Sequence, residues 1–184
     1  ELLRNGRHRT DYILTNQARI VAMTCTHAAI ARQRFLESDF TFDTLVVEEA
    51  GQILELESFI PFLLQEVKEG EGCRLKRVVY LGDANQLPPI VQSPVLAHIA
   101  HLDQSLFARL LRLGVPSIQL DAQGRCRASL AKLFSWRYAD LRNLAHVEVE
   151  FKRANACLRY EYQMIDVEGE ESEPMPHVLQ NRAE

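Results

Sequence analysis

Residues 45–52 read Leu-Val-Val-Glu-Glu-Ala-Gly-Gln, a short apolar run that ends abruptly in two carboxylates. The run is rich in β-branched residues and does not alternate polar with apolar positions, which is typical of a strand buried on both faces of a parallel sheet. Similar runs occur at Ile20–Met23 and Val78–Leu81, with a weaker one at Ile118–Leu120. The pattern therefore predicts three buried strands, and the weaker run predicts a fourth strand.

Helical segments separate these runs. Gln52–Val67 carries an apolar stripe with the 3.6-residue period of a helix, and Pro61 inside it predicts a kink or a break. Asp103–Leu113, capped by its first residue and stopped by the glycine that follows, and Ser129–Tyr138 are predicted as two more helices. Glu168–Pro176 is acidic, contains proline and is predicted to be a surface loop. Strands alternating with helices predict a doubly wound α/β domain with a parallel sheet.

Composition excludes several classes of protein. The 184 residues are 47% hydrophobic and 25% charged, as in a soluble globular chain, and the net charge of −4 argues against a protein that simply coats nucleic acid. The four cysteines form no Cys-x-x-Cys pair, which disfavours a zinc knuckle and favours a reducing compartment. No apolar run approaches the ~20 residues of a membrane span. Because the chain opens without Met, we expect it to be part of something longer.

Polar side chains follow each predicted buried strand. Thr24–His27 follows the first, Glu48–Gln52 the second and Gly82–Gln86 the third. In open parallel sheets the ligand crevice lies outside the carboxyl ends of the strands. We therefore expect these three segments to converge on one site.

Glu48 and Glu49 suggest a metal-dependent reaction. Two carboxylates at the end of an apolar strand are costly unless something pairs with them, and a divalent cation with bound phosphates suits them. Successive strand side chains point in opposite directions, so one carboxylate can reach the metal shell while the other reaches an attacking water. The alternative is a solvated strand end that begins an acidic helix, which the helix dipole favours.

Residues 82–89, Gly-Asp-Ala-Asn-Gln-Leu-Pro-Pro, are more specific. The prolines stiffen a loop that holds Asp83 and Gln86 at the strand end. A glutamine amide both donates and accepts hydrogen bonds, which suits simultaneous contact with a γ-phosphate and a water. A simple structural turn is the alternative.

Taken in order, these segments resemble the motifs of superfamily 1 helicases, in the group typified by the helicases of nonsense-mediated decay. We call Leu45–Gln52 the motif II segment, Leu81–Pro89 the motif III loop and Leu120–Leu130 the motif IV segment. Ile20–Ala28 resembles the RNA-contacting motif Ic, and Asp103–Leu110 the helix that follows motif III. The resemblance covers nearly the whole chain and implies a RecA-like core.

Five stretches narrow the resemblance to Aquarius-like spliceosomal RNA helicases. That subfamily carries Glu-Glu-Ala in motif II, as at Glu48–Ala50, where relatives carry Asp-Glu. The other stretches are Met23–Ala29, Leu120–Arg125, Phe134–Tyr138 and Glu171–Pro174.

The resemblance implies roles for individual residues. Glu48 would hold Mg²⁺, Glu49 would polarise the attacking water, and Gln86 would sense the γ-phosphate of ATP. Arg125 would reach the γ-phosphate across the interdomain cleft and stabilise charge on the transferring group. The implied nucleotide-binding positions are Glu48, Glu49, Asp83, Gln86, Gln123 and Arg125. The implied RNA-backbone contacts are Thr24, Thr26 and His27.

It also implies a domain division and a cellular setting. Residues 1–116 would be the later part of the first RecA-like domain, without its phosphate-loop strand, and 117–184 the start of the second. The expected partners are single-stranded intron pre-mRNA and spliceosomal proteins in the nucleus, with no membrane. The expected cofactors are ATP and Mg²⁺.

The chain departs from the helicase pattern in ways that keep other functions open. It contains no Gly-x-x-x-x-Gly-Lys-Ser/Thr loop, so we expect no ATP hydrolysis by these residues alone. Glu48 replaces the usual Asp, Gly124 the usual Tyr, and Cys126–Ala128 the usual Met-His-Pro. One alternative is a non-hydrolysing scaffold that binds RNA and proteins. The other is a DNA helicase with the same motor chemistry.

Overall fold

The computed structural model describes residues 6–67, 70, 72–151, 159–169, 171–175 and 178–181, and the chain divides into two compact units, 1–118 and 119–184. The helices are α1 (Gly6–Tyr12), α2 (Cys25–Glu37), α3 (Glu55–Phe59), α4 (Pro94–His98), α5 (Leu106–Arg112), α6 (Ala128–Ala131) and α7 (Ala145–Glu150). The strands are β1 (Thr44–Val47), β2 (Arg77–Tyr80), β3 (Ala122–Gln123), β4 (Arg142–Asn143), β5 (Glu171–Met175) and β6 (Val178–Asn181). Single turns of other helix types are Ile13–Gln17 (π) and Ala50–Gln52, Ile60–Leu64 and Ser135–Arg137 (3₁₀).

Strands β1 and β2 form the parallel pair that organises the first unit. Their register runs from Thr44 opposite Arg77 to Val47 opposite Tyr80. The connection between them contains the broken helical region. Because proline lacks an N–H, Pro61 cannot continue α3. The helix ends at Phe59 and a 3₁₀ turn begins at Ile60, so the predicted break in Gln52–Val67 is confirmed.

The core of the first unit lies where α2 packs on the 3₁₀ turn Ile60–Leu64. Its buried members are Ala28, Phe35, Phe40 and Leu64, with the rings of Phe35 and Phe40 4.8 Å apart. Val21 and Met23 pack against this cluster, although they lie in no strand. Packing thus anchors the segment that leads into α2.

Two predicted strands are wrong. Ile20–Met23 and Ile118–Leu120 form no strand and have no strand partners among the described residues, and Ile20 and Ile118 are 88% and 94% exposed. A strand requires a hydrogen-bonded neighbour, and apolar composition alone cannot supply one. Strands β1 and β2 are also more exposed to solvent than predicted for strands buried on both faces. Val46 is 55% exposed and Val79 is 39% exposed.

Helix α5 begins later than predicted. Its N-cap is Ser105, whose Oγ accepts a hydrogen bond from the Ala108 N–H at 3.1 Å, so Asp103 is not the cap. The predicted stop is confirmed, since Gly114 lies just after the helix with φ +77°.

The second unit holds two small strand pairs. Strand β3 runs parallel to β4, with Ala122 opposite Arg142, and β5 pairs antiparallel with β6. The predicted helix Ser129–Tyr138 is shorter, with α6 and a separate 3₁₀ turn in its place. The predicted loop Glu168–Pro176 is also wrong in part, because pairing with β6 makes Glu171–Met175 a strand.

Helices and parallel strand pairs agree with the predicted α/β class. Within the described ranges, none of the helices combines the length and apolarity needed to cross a bilayer.

Candidate active site

The motif II segment and the motif III loop leave neighbouring strands at the same edge of the sheet. The Leu81 N–H donates to the Val47 carbonyl at 2.8 Å, and the Ala50 N–H donates to the Leu81 carbonyl at 2.9 Å. These two bonds continue the β1–β2 ladder beyond the strand ends. They bring Glu48 and Glu49 beside the loop that contains Asp83 and Gln86.

Two glycines allow the backbones of these loops to touch. A Cβ on Gly51 would lie 2.9 Å from the Asp83 carbonyl oxygen, and a Cβ on Gly82 would lie 2.9 Å from the Gly51 nitrogen. Real Cβ atoms do not tolerate such distances to backbone atoms, so glycine is required at both positions for the loops to approach this closely.

Glu48 and Glu49 are both exposed at the end of β1, where their carboxylates can meet a ligand. Glu49 has a left-handed backbone with φ +50°, which is unfavourable for a residue other than glycine. The Gln52 amide donates to the Glu49 Oε2 at 3.3 Å. Backbone strain of this kind occurs both at functional positions and at the ends of helices.

Asp83 organises the motif III loop. Its Oδ1 accepts the Asn85 N–H at 2.8 Å, and its Oδ2 accepts the Gln86 side-chain amide at 3.1 Å. The first contact is an Asx turn, in which the side chain fixes the backbone that follows. Asp83 thereby orients the amide of Gln86.

In the motif IV segment, Gln123 holds the turn that carries Arg125. The Gln123 Oε1 accepts the N–H groups of Arg125 and Cys126 at 2.9 and 2.8 Å, and its Nε2 donates to the Cys126 carbonyl and the Asn143 Oδ1 at 2.8 and 2.6 Å. The amide of Gln123 is therefore fully used inside its own unit. The Arg125 side chain is exposed and has no ion-pair partner among the described residues.

The neighbours of Gly124 in the second unit explain why this position has no side chain. A Cβ there would lie 2.9 Å from both the His146 ring and the Leu144 side chain. The His146 Nε2 lies 2.9 Å from the Gly124 carbonyl oxygen. The ring thus occupies the space beside the turn that a side chain at this position would enter.

The predicted RNA contacts lie at the start of α2. The Thr24 Oγ1 caps this helix by accepting the His27 N–H at 3.1 Å, and Thr26 and His27 are exposed. Thr24 thus has a structural role that leaves its hydroxyl hydrogen available to an acceptor.

Cys25, within the same turn, was not singled out from sequence. Burial raises the pKa of its thiol, and the Glu57 carboxylate on α3 raises that pKa further. Burial, and then the nearby Cys25, raise the pKa of Tyr80 at the end of β2. The Tyr80 hydroxyl is buried without a hydrogen-bond partner among the described residues. The mutual proximity of Cys25, Glu57 and Tyr80 is visible only in the tertiary structure.

The donor atoms at the sheet edge fit Mg²⁺ together with a polyphosphate. They are carboxylate and amide oxygens, the hard ligands that Mg²⁺ prefers. No group of three or more His, Cys, Asp or Glu side chains forms a cage within the described part of the chain.

A family model described as an AAA domain matches residues 1–94. The match covers the motif Ic, II and III segments and more than half of the chain. The chain belongs to this family of AAA domains.

Individual relatives refine this assignment. The RNA helicase aquarius of Mus musculus is 49% identical over 190 aligned residues, which is 100% of this chain and 13% of that protein. The regulator of nonsense transcripts 1 homolog of Arabidopsis thaliana is 33% identical over 70% of this chain and 9% of its own length. The 5'-3' DNA helicase ZGRF1 of Mus musculus is 29% identical over 67% of this chain and 6% of its own length. The predicted resemblance to Aquarius-like superfamily 1 helicases is confirmed.

Proposed function

We propose that this chain is part of an ATP-dependent RNA helicase motor that acts on intron RNA in pre-mRNA splicing, in the nucleus and together with spliceosomal proteins. The observation that carries the proposal is the joined sheet edge, where the Ala50 N–H donates to the Leu81 carbonyl at 2.9 Å and holds the segment of Glu48 and Glu49 beside the loop of Asp83 and Gln86. The 49% sequence identity to an RNA helicase, which extends over the whole chain, supports the proposal.

Glu48 and Glu49 would have different roles in ATP hydrolysis. Glu48 would hold Mg²⁺ through bound water, and this ion supplies charge neutralisation on the phosphates when bound. Glu49 would accept a hydrogen bond from the attacking water and align it with the phosphorus. The hydrogen bond from Gln52 keeps the Glu49 carboxylate in place without closing off its second oxygen.

The motif III and IV residues would respond to the γ-phosphate. Gln86, whose amide donates to Asp83, would contact both phosphate and water. Arg125 would stabilise charge on the transferring group, as guanidinium groups do in other phosphoryl transfers. Gln123 would hold the turn that carries Arg125, because its Oε1 accepts the Arg125 N–H. Its predicted contact with the nucleotide stays a prediction.

Binding of RNA would use the start of α2. Thr24, Thr26 and His27 offer hydroxyl and imidazole donors of the kind that suit phosphate oxygens. Closure of the two domains on ATP would be a hinge motion driven by differential contacts with the ligand. This closure would change the affinity for RNA.

The test is RNA-stimulated ATP hydrolysis by the full-length protein that contains this segment, wild type against Glu49→Gln. The substitution keeps the shape of the side chain and removes its charge. We expect a loss of at least ~100-fold in kcat, the scale of removing a proton-transfer group. Glu66→Gln is the matched control, because Glu66 is an exposed acid in the same unit, away from the sheet edge, and it should retain wild-type turnover.

Two results would contradict the proposal. If wild type and Glu49→Gln are equally inactive while RNA binding persists, the chain serves as a non-hydrolysing scaffold. If DNA of the same sequence stimulates hydrolysis as well as RNA does, the motor is not selective for the 2′-hydroxyl, and the likeness to a DNA helicase becomes the better guide.

A further inference from the structure

One ion pair joins α3, the helix after the motif II segment, to α5, the second helix after the motif III loop. The Arg109 Nη2 on α5 lies 2.7 Å from the Glu55 Oε1 at the start of α3, and the two side chains are 41% and 23% exposed. The Arg109 Nε is buried and has no acceptor among the described residues. Arg109 is therefore held by packing as well as by charge.

The pair lies close to the backbone that carries the site. Helix α5 packs on the turn Ala50–Gln52, and the Phe107 Cδ1 lies 3.5 Å from where a Cβ on Gly82 would be. The first turn of α5 is fixed by Ser105 and Leu106, which are 1% and 5% exposed. Helix α5 thus touches both the motif II turn and the motif III loop.

An ion pair this exposed adds little to stability, so its main effect is on position. Glu55 is the first residue of α3, and only residues 53 and 54 separate this helix from the turn Ala50–Gln52. A shift of α3 would therefore displace that turn. Small displacements of reacting groups cost far more in rate than in stability.

We infer that Arg109 is a positioning residue for ATP hydrolysis. Through Glu55 it holds α3 against α5. This contact keeps Glu48 and Glu49 at a fixed position relative to Asp83 and Gln86. The inference rests on the proposed function, since it concerns the same reaction.

The first measurement compares Arg109→Ala with wild type in the full-length protein that contains this segment. We expect kcat for RNA-stimulated hydrolysis to fall about 10-fold to 100-fold while the KM for ATP changes less than about 3-fold. Arg112→Ala is the matched control, since Arg112 is exposed in the last turn of α5 and forms no ion pair among the described residues. It should stay within about 2-fold of wild type.

Exchanging the charges of Glu55 and Arg109 distinguishes an effect on the position of α3 from an effect on the stability of the whole protein. Glu55→Arg combined with Arg109→Glu restores the attraction with opposite polarity and should recover kcat at least about 5-fold over either single variant. A purely structural role would lower the unfolding temperature of both single variants without separating kcat from KM.

Amide hydrogen exchange gives a readout that does not depend on hydrolysis. Arg109→Ala should speed exchange about 10-fold at Ala50, whose N–H bonds to Leu81, and Arg112→Ala should not. Wild-type exchange and wild-type kcat in Arg109→Ala would overturn the inference. If wild type itself fails to hydrolyse ATP, the proposed function fails, and the exchange rates still decide whether Arg109 positions the loop.

Discussion

Glycine is needed at Gly51 for a reason that lies in another segment of the chain. Its neighbour is the backbone carbonyl of Asp83, which a Cβ would approach to 2.9 Å. The sequence shows a glycine two residues after Glu49 but does not indicate which atoms face it. Close approach of the two loops, rather than a turn that demands positive φ, is what selects glycine here.

Gly51→Ala should therefore separate the motif II and motif III backbones. Because the opposing atom belongs to the backbone, it cannot rotate away, and the loops must shift. We expect RNA-stimulated turnover of the full-length protein containing this segment to fall about 10-fold or more, on the scale of misplaced catalytic groups. Steady-state hydrolysis assays measure this directly.

Gly6→Ala is the control for that variant. A Cβ on Gly6 meets nothing within 4 Å, so only helix propensity changes. Equal activity of Gly51→Ala and wild type would show that the loops tolerate separation and that their contact does not matter for turnover.

At the scale of the element, α2 ends in a Schellman motif whose left-handed residue is not glycine. The Phe40 N–H bonds to the Phe35 carbonyl at 3.0 Å, and the Asp39 N–H to the Leu36 carbonyl at 3.1 Å. Asp39 lies between them with φ +50°. This turn directs the chain from α2 into β1 and buries Phe40 in the core.

Substitutions at Asp39 should follow backbone preference. Asp39→Gly removes the strain of the left-handed conformation and should stabilise the end of α2 by roughly 0.5 kcal/mol, whereas Asp39→Ala should destabilise it by about 1 kcal/mol. Amide exchange at Ser38–Phe40 should be slowest in the glycine variant and fastest in the alanine variant. The reverse order would show that side-chain contacts of Asp39 outweigh its backbone strain.

Element boundaries show where local sequence is sufficient. Pro61 predicts a break because the missing N–H acts within its own turn. Asp103 and Ser105 are both acceptable caps, and local chemistry cannot choose between them. Burial of Leu106 decides in favour of Ser105, since the apolar face of α5 must meet the rest of the unit.

At the scale of the whole molecule, much apolar surface of the described chain is open to solvent. Val46, Val78 and Val79 on the β1–β2 pair are 55%, 37% and 39% exposed, although their sequence is typical of strands buried on both faces. Exposed apolar strands favour association over folding.

The isolated 184-residue chain should therefore be poorly soluble and should not melt cooperatively. The reason is that two strands with uncovered faces bury too little apolar surface to offset the conformational entropy of ordering them. Circular dichroism followed on heating is the measurement. A single sharp transition in a monomeric sample would contradict this expectation and show that the chain folds as an independent domain.

The sequence by itself determined the chemistry of the candidate site and its place in the fold. Carboxylates and amides directly after apolar β-branched runs predict a ligand edge, because parallel strands end at a common edge. Tertiary structure alone decided the left-handed backbone of Glu49, the mutual need for Gly51 and Gly82, and the Glu55–Arg109 pair. It also decided that Ile20–Met23 is no strand in the described chain. Each of these depends on which distant backbone or side chain lies opposite, and periodicity and propensity describe only a residue's neighbours along the chain.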